Sequence, residues 1–395
     1  MKILVLNSGS SSIKFKLFDN EVVKASGLIE KIGENGSRVE LKNTLTGEEF
    51  EKKVNIKNHE EGLKITNELF KESGILTDLS ELDGCGHRIV HGGKELSEHC
   101  LIDDKVLEQI DKVSIFAPLH NPANLAGIKT MIKAAPNVKN VAVFDTAFHS
   151  QMPEFASMYA LPYEYYEKYN IKKYGFHGTS HAYVSKKAAL FLNKDYNNFN
   201  AISAHLGNGA SVCAIENGKS VDTSMGFTPL EGLIMGTRCG DIDAAILPFI
   251  AQTQNLSMQE IDTLVNKKSG VYGICGFNDF RDIENQIEKG DKKAKLALDM
   301  FCYRLVKYIG SYLAVLPRTD ALIFTGGIGE NGNLVRKLVC QKLLHLGFEL
   351  DEKLNDERSK KEREINKSSS KIKILVVPTD EELEITKITQ KLIAK

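Results

Sequence analysis

No apolar run in this 395-residue chain is long enough to cross a bilayer; AAILPFIA at 244–251 is among the longest. The N-terminus passes from one lysine into the short run ILVL and then into polar residues, without the longer apolar core and cleavage site of a secretory leader. The expectation is a cytoplasmic protein with no membrane partner. Charge of one sign is also missing. Lys and Arg number 51 against 52 Asp and Glu, for a net charge of −1, so nothing points to nucleic acid or an acidic membrane surface. The seven cysteines, Cys85, Cys100, Cys213, Cys239, Cys275, Cys302 and Cys340, include no CxxC pair. That removes a cysteine zinc site and a redox pair, and leaves small buried hydrophobes in a reducing compartment. There is no GxxxxGK[ST], so the chain carries no Walker P-loop. The glycine cluster GGIGENG lacks the GxGxxG spacing and sits late, so it is not a dinucleotide fingerprint. No HRD loop with a DFG motif occurs, which excludes a protein kinase. No low-complexity linker interrupts the chain.

What remains is an ordinary globular composition, 42% apolar and 26% charged, at a length comfortable for two domains. KILVL at 2–6 reads as a strand. IKFKLFD at 13–19 alternates, with Ile13, Phe15 and Leu17 on one face and Lys14 and Lys16 on the other. Between them NSGSSS makes a small-residue turn. The plan recurs at 201–224, where AISAHL, GNGAS, VCAIE and the turn NGK read as strand, turn, strand, turn, strand. An internal duplication is the simplest account, and it predicts two domains of similar topology. A third cluster, ALIFTGGIGENG at 321–332, reads as a buried strand, a Gly-rich turn and then a helix over 334–347, with another helix at 293–316 before it. IKILVVP at 372–378 is a further strand, followed by an amphipathic terminal helix. Ser257 and Glu260 form a capping box for a helix that Gly270 is expected to close. The Lys/Glu/Ser stretch at 356–371 reads as a solvated loop or helix end.

Small residues let the backbone approach an anion closely, and consecutive N–H groups in such a turn favour negative charge. Ser and Asn add donors and reach a metal through oxygen. Any one of these turns is as well explained by ordinary hairpin chemistry. Three at strand ends shift the balance towards polyphosphate.

VLNSGSSSIKFKLF, GFHGTSH at 175–181, HLGNGAS at 205–211, MGFTPLEGLIMGTRCGDID at 225–243, TGGIGEN at 325–331 and PTDEE at 378–382 together resemble, in order and over essentially the whole chain, the signatures of the acetate kinase family. The resemblance implies an α/β fold of two ribonuclease-H-like domains, as in actin- and hexokinase-like ATPases, around a nucleotide cleft. It implies boundaries at 1–147 plus 382–395 for the N-terminal domain and 148–381 for the C-terminal, nucleotide-binding one. The implied reaction is reversible in-line transfer of a phosphoryl group from ATP to acetate, giving acetyl phosphate and ADP. Magnesium is the implied metal, with manganese as the alternative, and a homodimer the implied assembly.

That chemistry needs cations and donors around three equatorial oxygens. The resemblance places Arg88 on the acetate carboxylate, where a guanidinium fork suits two oxygens. It places Arg238 on the γ-phosphoryl group with His177 as partner donor, His181 being the more structural histidine. Asp145, at the end of the apolar strand VAVF, is a proton donor or acceptor in the family. A carboxylate acceptor is already ionised at pH 7, so our reading is that Asp145 orients Arg238 or a metal-bound water. Asn7 and Glu381 match the magnesium positions. Strand alternation would point only one of Glu381 and Glu382 into the cleft. Lys14 falls near the nucleotide phosphates. The nucleotide segments carried over are His205, Leu206, Gly207, Asn208 and Gly209; Asp279, Phe280 and Arg281; and Gly327, Ile328, Gly329, Glu330 and Asn331. His120 matches a further active-site histidine. Val90, Leu119 and Pro229 match the acyl pocket, with ordinary core as the other reading.

Two rivals stay open. Another short-chain acyl kinase, for propionate or butyrate, differs by contacts worth only ~1–3 kcal/mol per methylene. An actin-like ATPase switch would need the nucleotide site and no carboxylate site.

Overall fold

The structure, a computed structural model, describes residues 1–118 and 120–395. It divides into two compact units, Met1–Ser150 with Asp380–Lys395, and Gln151–Thr379. Glu381, expected in the second domain, therefore belongs to the first unit.

The first unit is built on an eight-stranded sheet. Its strands are β1 (Lys2–Ser8), β2 (Ser12–Asp19), β3 (Val22–Glu30), β4 (Arg38–Asn43), β5 (Glu49–Lys53), β6 (Gly84–Ile89), β7 (Cys100–Leu101) and β8 (Lys139–Phe144). They lie in the order β5-β4-β3-β2-β1-β6-β8-β7. The second unit has β9 (Ala201–Leu206), β10 (Ala210–Glu216), β11 (Lys219–Thr223), β12 (Ala321–Thr325), β13 (Arg363–Glu364) and β14 (Lys373–Val376), in the order β11-β10-β9-β12-β14-β13. The duplication read from the two hairpins is visible strand by strand. β3-β2-β1-β6-β8-β7 and β11-β10-β9-β12-β14-β13 share one pattern. In each, an antiparallel meander is followed by two parallel additions and an antiparallel edge.

Local chemistry explains the elements. Asn217 and Gly218, at φ 50° and 73°, make the left-handed pair that a two-residue hairpin turn requires between β10 and β11. In β1 and β2 strict alternation sends Leu4, Leu6, Phe15 and Leu17 to one core and Ile3, Val5 and Phe18 to another. The second core is covered by the helix Glu381–Ile393, whose Ile385 and Ile393 join it, each contributing about 2 kcal/mol by burial. Gly84 and Gly86 of β6 make room for this helix. A Cβ on Gly86 would lie 2.5 Å from Thr389 Oγ1 and 2.6 Å from Ile385 Cγ2.

Four local expectations change. The capping box of Ser257 and Glu260 forms as read, but the helix Met258–Lys267 ends on Lys268, and Gly270 at φ 65° opens the next short helix. The glycines of TGGIGEN are not a turn before a helix; Gly326–Asn331 is itself helical. Glu381 and Glu382 stand in the first turn of a helix capped by Asp380, so a helical step of about 100° separates them, not strand alternation. The stretch at 356–371 contains the short edge strand β13. Among the described residues, no helix is long and apolar enough to cross a membrane.

Candidate active site

In open α/β sheets, ligands gather beyond the carboxyl ends of parallel strands. In the first unit those strands are β1, β6 and β8. Asn7 is the penultimate residue of β1, Arg88 the penultimate residue of β6, and Asp145 directly follows β8. Alternation places all three on the face covered by the helix Glu381–Ile393, the same face as Ile3, Val5, Val141 and Val143. Lys14 is paired across the ladder with Asn7 and so shares that face.

Arg88 is clamped. Its Nε donates to Asp145 Oδ1 at 3.0 Å and its Nη2 to Asp145 Oδ2 at 2.7 Å. Its Nε also lies 3.8 Å from Glu381 Oε2. Asp145 is buried, and its field raises the Arg88 pKa against the opposing effect of burial. The carboxylate for which we expected the job of orienting Arg238 or a water is thus spent on Arg88, as a fork-to-fork ion pair. Burial pushes Glu381 up from the ordinary carboxylate range, opposed by Arg88 and reinforced by Asp145, Glu382 and Asp380. Glu382 turns away to Lys16 at 3.2 Å. One guanidinium facing two half-buried or buried carboxylates leaves local negative charge, and Asn7 and Glu381 present hard oxygen donors on that face. The described residues hold no cluster of three or more His, Cys, Asp or Glu shaped for a metal. The pair therefore fits an ion that keeps most of its ligands as water and phosphate oxygen, as magnesium does.

Val90 donates its backbone N–H to Asn124 Oδ1 at 3.2 Å, and Asn124 Nδ2 donates to the Ser8 carbonyl at 2.7 Å. Asn121 exchanges two hydrogen bonds with the His91 backbone. Both asparagines stand in the first turn of the helix Asn121–Ala134, whose N-cap position is His120. They bind the NSGSSS turn and the VHGG loop to one helix end. Leu119 lies outside the described residues.

In the second unit the parallel strands are β9, β12 and β14. His205 and Leu206 end β9, and Gly207–Gly209 make the turn to β10. His177, at φ 57°, is the N-cap of the helix Gly178–Phe191, which packs on β9 and β12. A Cβ on Gly209 would lie 3.3 Å from Arg238 Nη1 and 3.5 Å from His177 Nε2. The two side chains named for the phosphoryl group thus converge over a residue that has none. Arg238 is half-buried, and its Nη1 donates to the Pro229 carbonyl at 3.1 Å. No carboxylate pairs with it among the described residues, and burial lowers its pKa. His177 stacks on His205 with centroids 4.3 Å apart. Its Nδ1 lies 2.9 Å from Ser211 Oγ, which also lies 2.8 Å from His181 Nε2.

The other positions expected at the nucleotide divide. Glu330 accepts hydrogen bonds from the N–H groups of Gly326 at 3.0 Å and Thr379 at 3.1 Å, which binds the helix Gly326–Asn331 to the segment after β14. Asn331 Nδ2 donates back to the Gly327 carbonyl at 2.9 Å. Ile328 is half-buried and Gly329 buried, while Gly327 is exposed. Phe280 is buried edge-on against Phe301, so its ring belongs to the core. Asp279 caps the helix Phe280–Glu288 and pairs with Arg281 at 2.6 Å, which holds the Asp279 carboxyl below its usual range.

Sequence reasoning missed the clamps on the irregular segment 224–245 that carries Arg238. Glu231 receives Lys173 Nζ at 3.1 Å and the Tyr159 hydroxyl. Asp241 receives the Gly232 N–H and the Tyr308 hydroxyl, both at 2.7 Å, while Arg304 donates to the Gly232 and Asp241 carbonyls. Both acids lie inside the quoted motif. A long segment without strand or helix period, carrying two acids, was the available signal. Arg336 was missed as well. Fully buried, it donates to the carbonyls of Gly329 and Glu330 at the end of the helix Gly326–Asn331, and burial lowers its pKa to about 10.

Two copies of one ribonuclease-H-like sheet, each gathering polar groups at the carboxyl ends of its parallel strands, define the actin- and hexokinase-like class of two-domain phosphotransferases. The model of the acetokinase family matches residues 2–387. The chain belongs to that family. It is 75% identical over 395 residues, the whole of both chains, to an acetate kinase of Campylobacter jejuni subsp. jejuni serotype O:2. It is 55% identical over 389 residues to an acetate kinase of Helicobacter pylori, covering 98% of this chain and 97% of that one. Among solved structures it is similar to the acetate kinase of Porphyromonas gingivalis, with TM-score 0.95 and 43% identity over 100% of each chain. It is also similar to a propionate kinase from Francisella tularensis, with TM-score 0.93 and 43% identity over 99% of each.

Proposed function

We propose that the chain transfers the γ-phosphoryl group of ATP reversibly to acetate, giving acetyl phosphate and ADP. The convergence of Arg238 and His177 over Gly209 carries the phosphoryl-transfer reading. A half-buried guanidinium with no carboxylate partner among the described residues, beside an imidazole nitrogen, is an electrophilic pair that suits spread negative charge. Arg88, already pinned through Nε and Nη2, keeps Nη1 for a substrate carboxylate. The names of the relatives support acetate as acceptor.

In this reading an acetate oxygen attacks the γ-phosphorus, and the bond to the β,γ-bridging oxygen breaks, leaving with ADP. Acetate is ionised at neutral pH, so no proton has to move. Arg88 fixes the carboxylate, Asp145 fixes Arg88, and Arg238 and His177 meet the equatorial oxygens. Asn7 and Glu381 are the residues that would hold magnesium, which supplies charge neutralisation across the phosphates. Lys14 adds a cation on the same face. Val90 and Pro229 are offered as walls of the acyl pocket. We place the protein in the cytoplasm as a homodimer. Leu296, Met300 and Tyr303, exposed on the helix Lys292–Val315, are an apolar face that suits a second copy. Sedimentation at micromolar concentration tests that assembly.

Hydroxylamine trapping with ATP, magnesium and acetate, propionate or butyrate in parallel tests the reaction. Acetyl hydroxamate forming fastest is the expected result. Product only from the longer acids moves the acceptor, and product from none, with ATP bound, removes the reaction.

A further inference from the structure

Ser211 Oγ sits between two imidazoles, 2.9 Å from His177 Nδ1 and 2.8 Å from His181 Nε2, and His181 Nδ1 lies 2.6 Å from Ser203 Oγ. The elements dictate this row. His177 and His181 are one helical turn apart, and Ser203 and Ser211 stand on adjacent strands on the face that the helix covers. His181, Ser203 and Ser211 are each fully buried.

A hydroxyl carries one proton and a neutral imidazole one N–H, so with the Ser211 proton kept inside the row the three bonds run in one of two directions. In one, Ser203 donates to His181 Nδ1, His181 Nε2–H donates to Ser211, and Ser211 donates to His177 Nδ1. In the other every bond reverses, and His177 Nε2 is left as a bare lone pair. Nε2 is the atom that shares the space over Gly209 with Arg238. A lone pair there would repel phosphoryl oxygens, while an N–H would attract them.

We infer that Ser203, His181 and Ser211 are positioning residues that run in the first direction and hold His177 in its Nε2–H tautomer. The inference rests on the phosphoryl role given to His177 above and adds what fixes its proton. The hydrogen-bonded row also presets the ring plane, so no reorganisation is needed during transfer.

The test is nitrogen-15 NMR of the histidine rings in the full chain, with steady-state kinetics of Ser211→Ala, Ser211→Thr and His177→Ala. The wild type is expected to show His177 protonated on Nε2 and bare on Nδ1 at neutral pH. Ser211→Ala should mix the tautomers, lower kcat about tenfold with KM values for ATP and acetate little changed, and displace the acidic limb of the kcat–pH profile. Ser211→Thr, which keeps the hydroxyl, should restore both. An Nδ1–H tautomer in the wild type overturns the inference, whether or not Ser211→Ala folds. So does a Ser211→Ala enzyme with wild-type tautomer and pH profile. His177→Ala separates the two levels. If it still makes acyl phosphate at the wild-type rate, the role of His177 fails; if it is inactive while Ser211→Ala is unaltered, only the relay fails.

Discussion

In the first unit the helix Glu381–Ile393 meets its sheet mainly through Ile3, Val5, Val141, Val143, Ile385 and Ile393, with Thr389 beside Gly86. In the second, the helix Gly178–Phe191 meets the equivalent sheet with Ser180 and His181 against Ser203, His205 and Ser211. The strand order is the same and the interior is not. An apolar interface is stabilised by area alone, at about 25 cal/mol per Å². A hydroxyl–imidazole interface must satisfy every group, because each buried polar atom left without a partner costs about 1–3 kcal/mol. Fold stability does not ask for the second arrangement. The first unit shows that the topology is content with an interface made mainly of isoleucine and valine. The polar interior of the second unit is therefore best explained by the side chain at its end, His177. The first unit presents its reactive groups as fixed charges held by one another. The second orients hydroxyl and imidazole donors beside Arg238, with which no carboxylate pairs among the described residues.

The largest expected effect falls on that cation. Arg238→Ala should lower hydroxamate formation by about 10³-fold or more while ATP still binds by calorimetry. Loss of binding with the rate preserved for what does bind would remove the contrast between the units. Next comes the clamp of the first unit. Asp145→Asn cannot receive Arg88 as an ion pair, so Arg88 should swing and kcat/KM for acetate fall by about 10²-fold. Near-full turnover in that variant would exclude any orienting role for Asp145.

The sequence carried the duplicated plan because two hairpins bear the same small-residue turns, and strand alternation in IKFKLF was unambiguous. It carried the site through motifs whose residues stand at strand ends. It did not carry partners. That Asp145 serves Arg88 depends on β6 and β8 being neighbours in the sheet, a pairing between residues far apart in the chain. The motif singled out Glu381 over Glu382, but strand alternation was the wrong reason, because the helix expected over EELEITKITQKLIAK already starts at Glu381. His181 looked structural because nothing in GFHGTSH shows that strand serines face it. Gly270 was read as a stop because left-handed glycine closes helices far more often than it opens them.

Gly86 tests how far the apolar interface of the first unit sets its charges. A methyl there would press on Thr389 and Ile385, so Gly86→Ala should destabilise the fold by about 1–3 kcal/mol. It should also shift the helix that carries Glu381. The thermal midpoint and the magnesium concentration for half-maximal rate should both move. A lowered midpoint with unchanged magnesium dependence would mean that Glu381 is placed by its own contacts with Arg88 and not by the helix packing.

The smallest effect concerns one of the buried histidines of the first unit. His87 on β6 is 2% exposed, its Nε2 lies 2.7 Å from Asn140 Oδ1, and burial pushes its pKa down from 6.5 to about 4. Asn140 Nδ2 already donates to the Val138 carbonyl, so its Oδ1 accepts, and the His87 ring donates as a neutral imidazole. The unfolded chain binds a proton near pH 6.5 that the folded one refuses until about pH 4. Stability from this group is thus complete above pH 6.5 and is lost as the pH falls towards 4, by about 2 kcal/mol at pH 5. Urea midpoints at pH 7 and pH 5 should therefore separate more in the wild type than in His87→Gln, which has no proton to take up. Equal separations would mean that His87 is reached by water before the fold opens, and that the first unit is less dry behind its apolar face than the comparison requires.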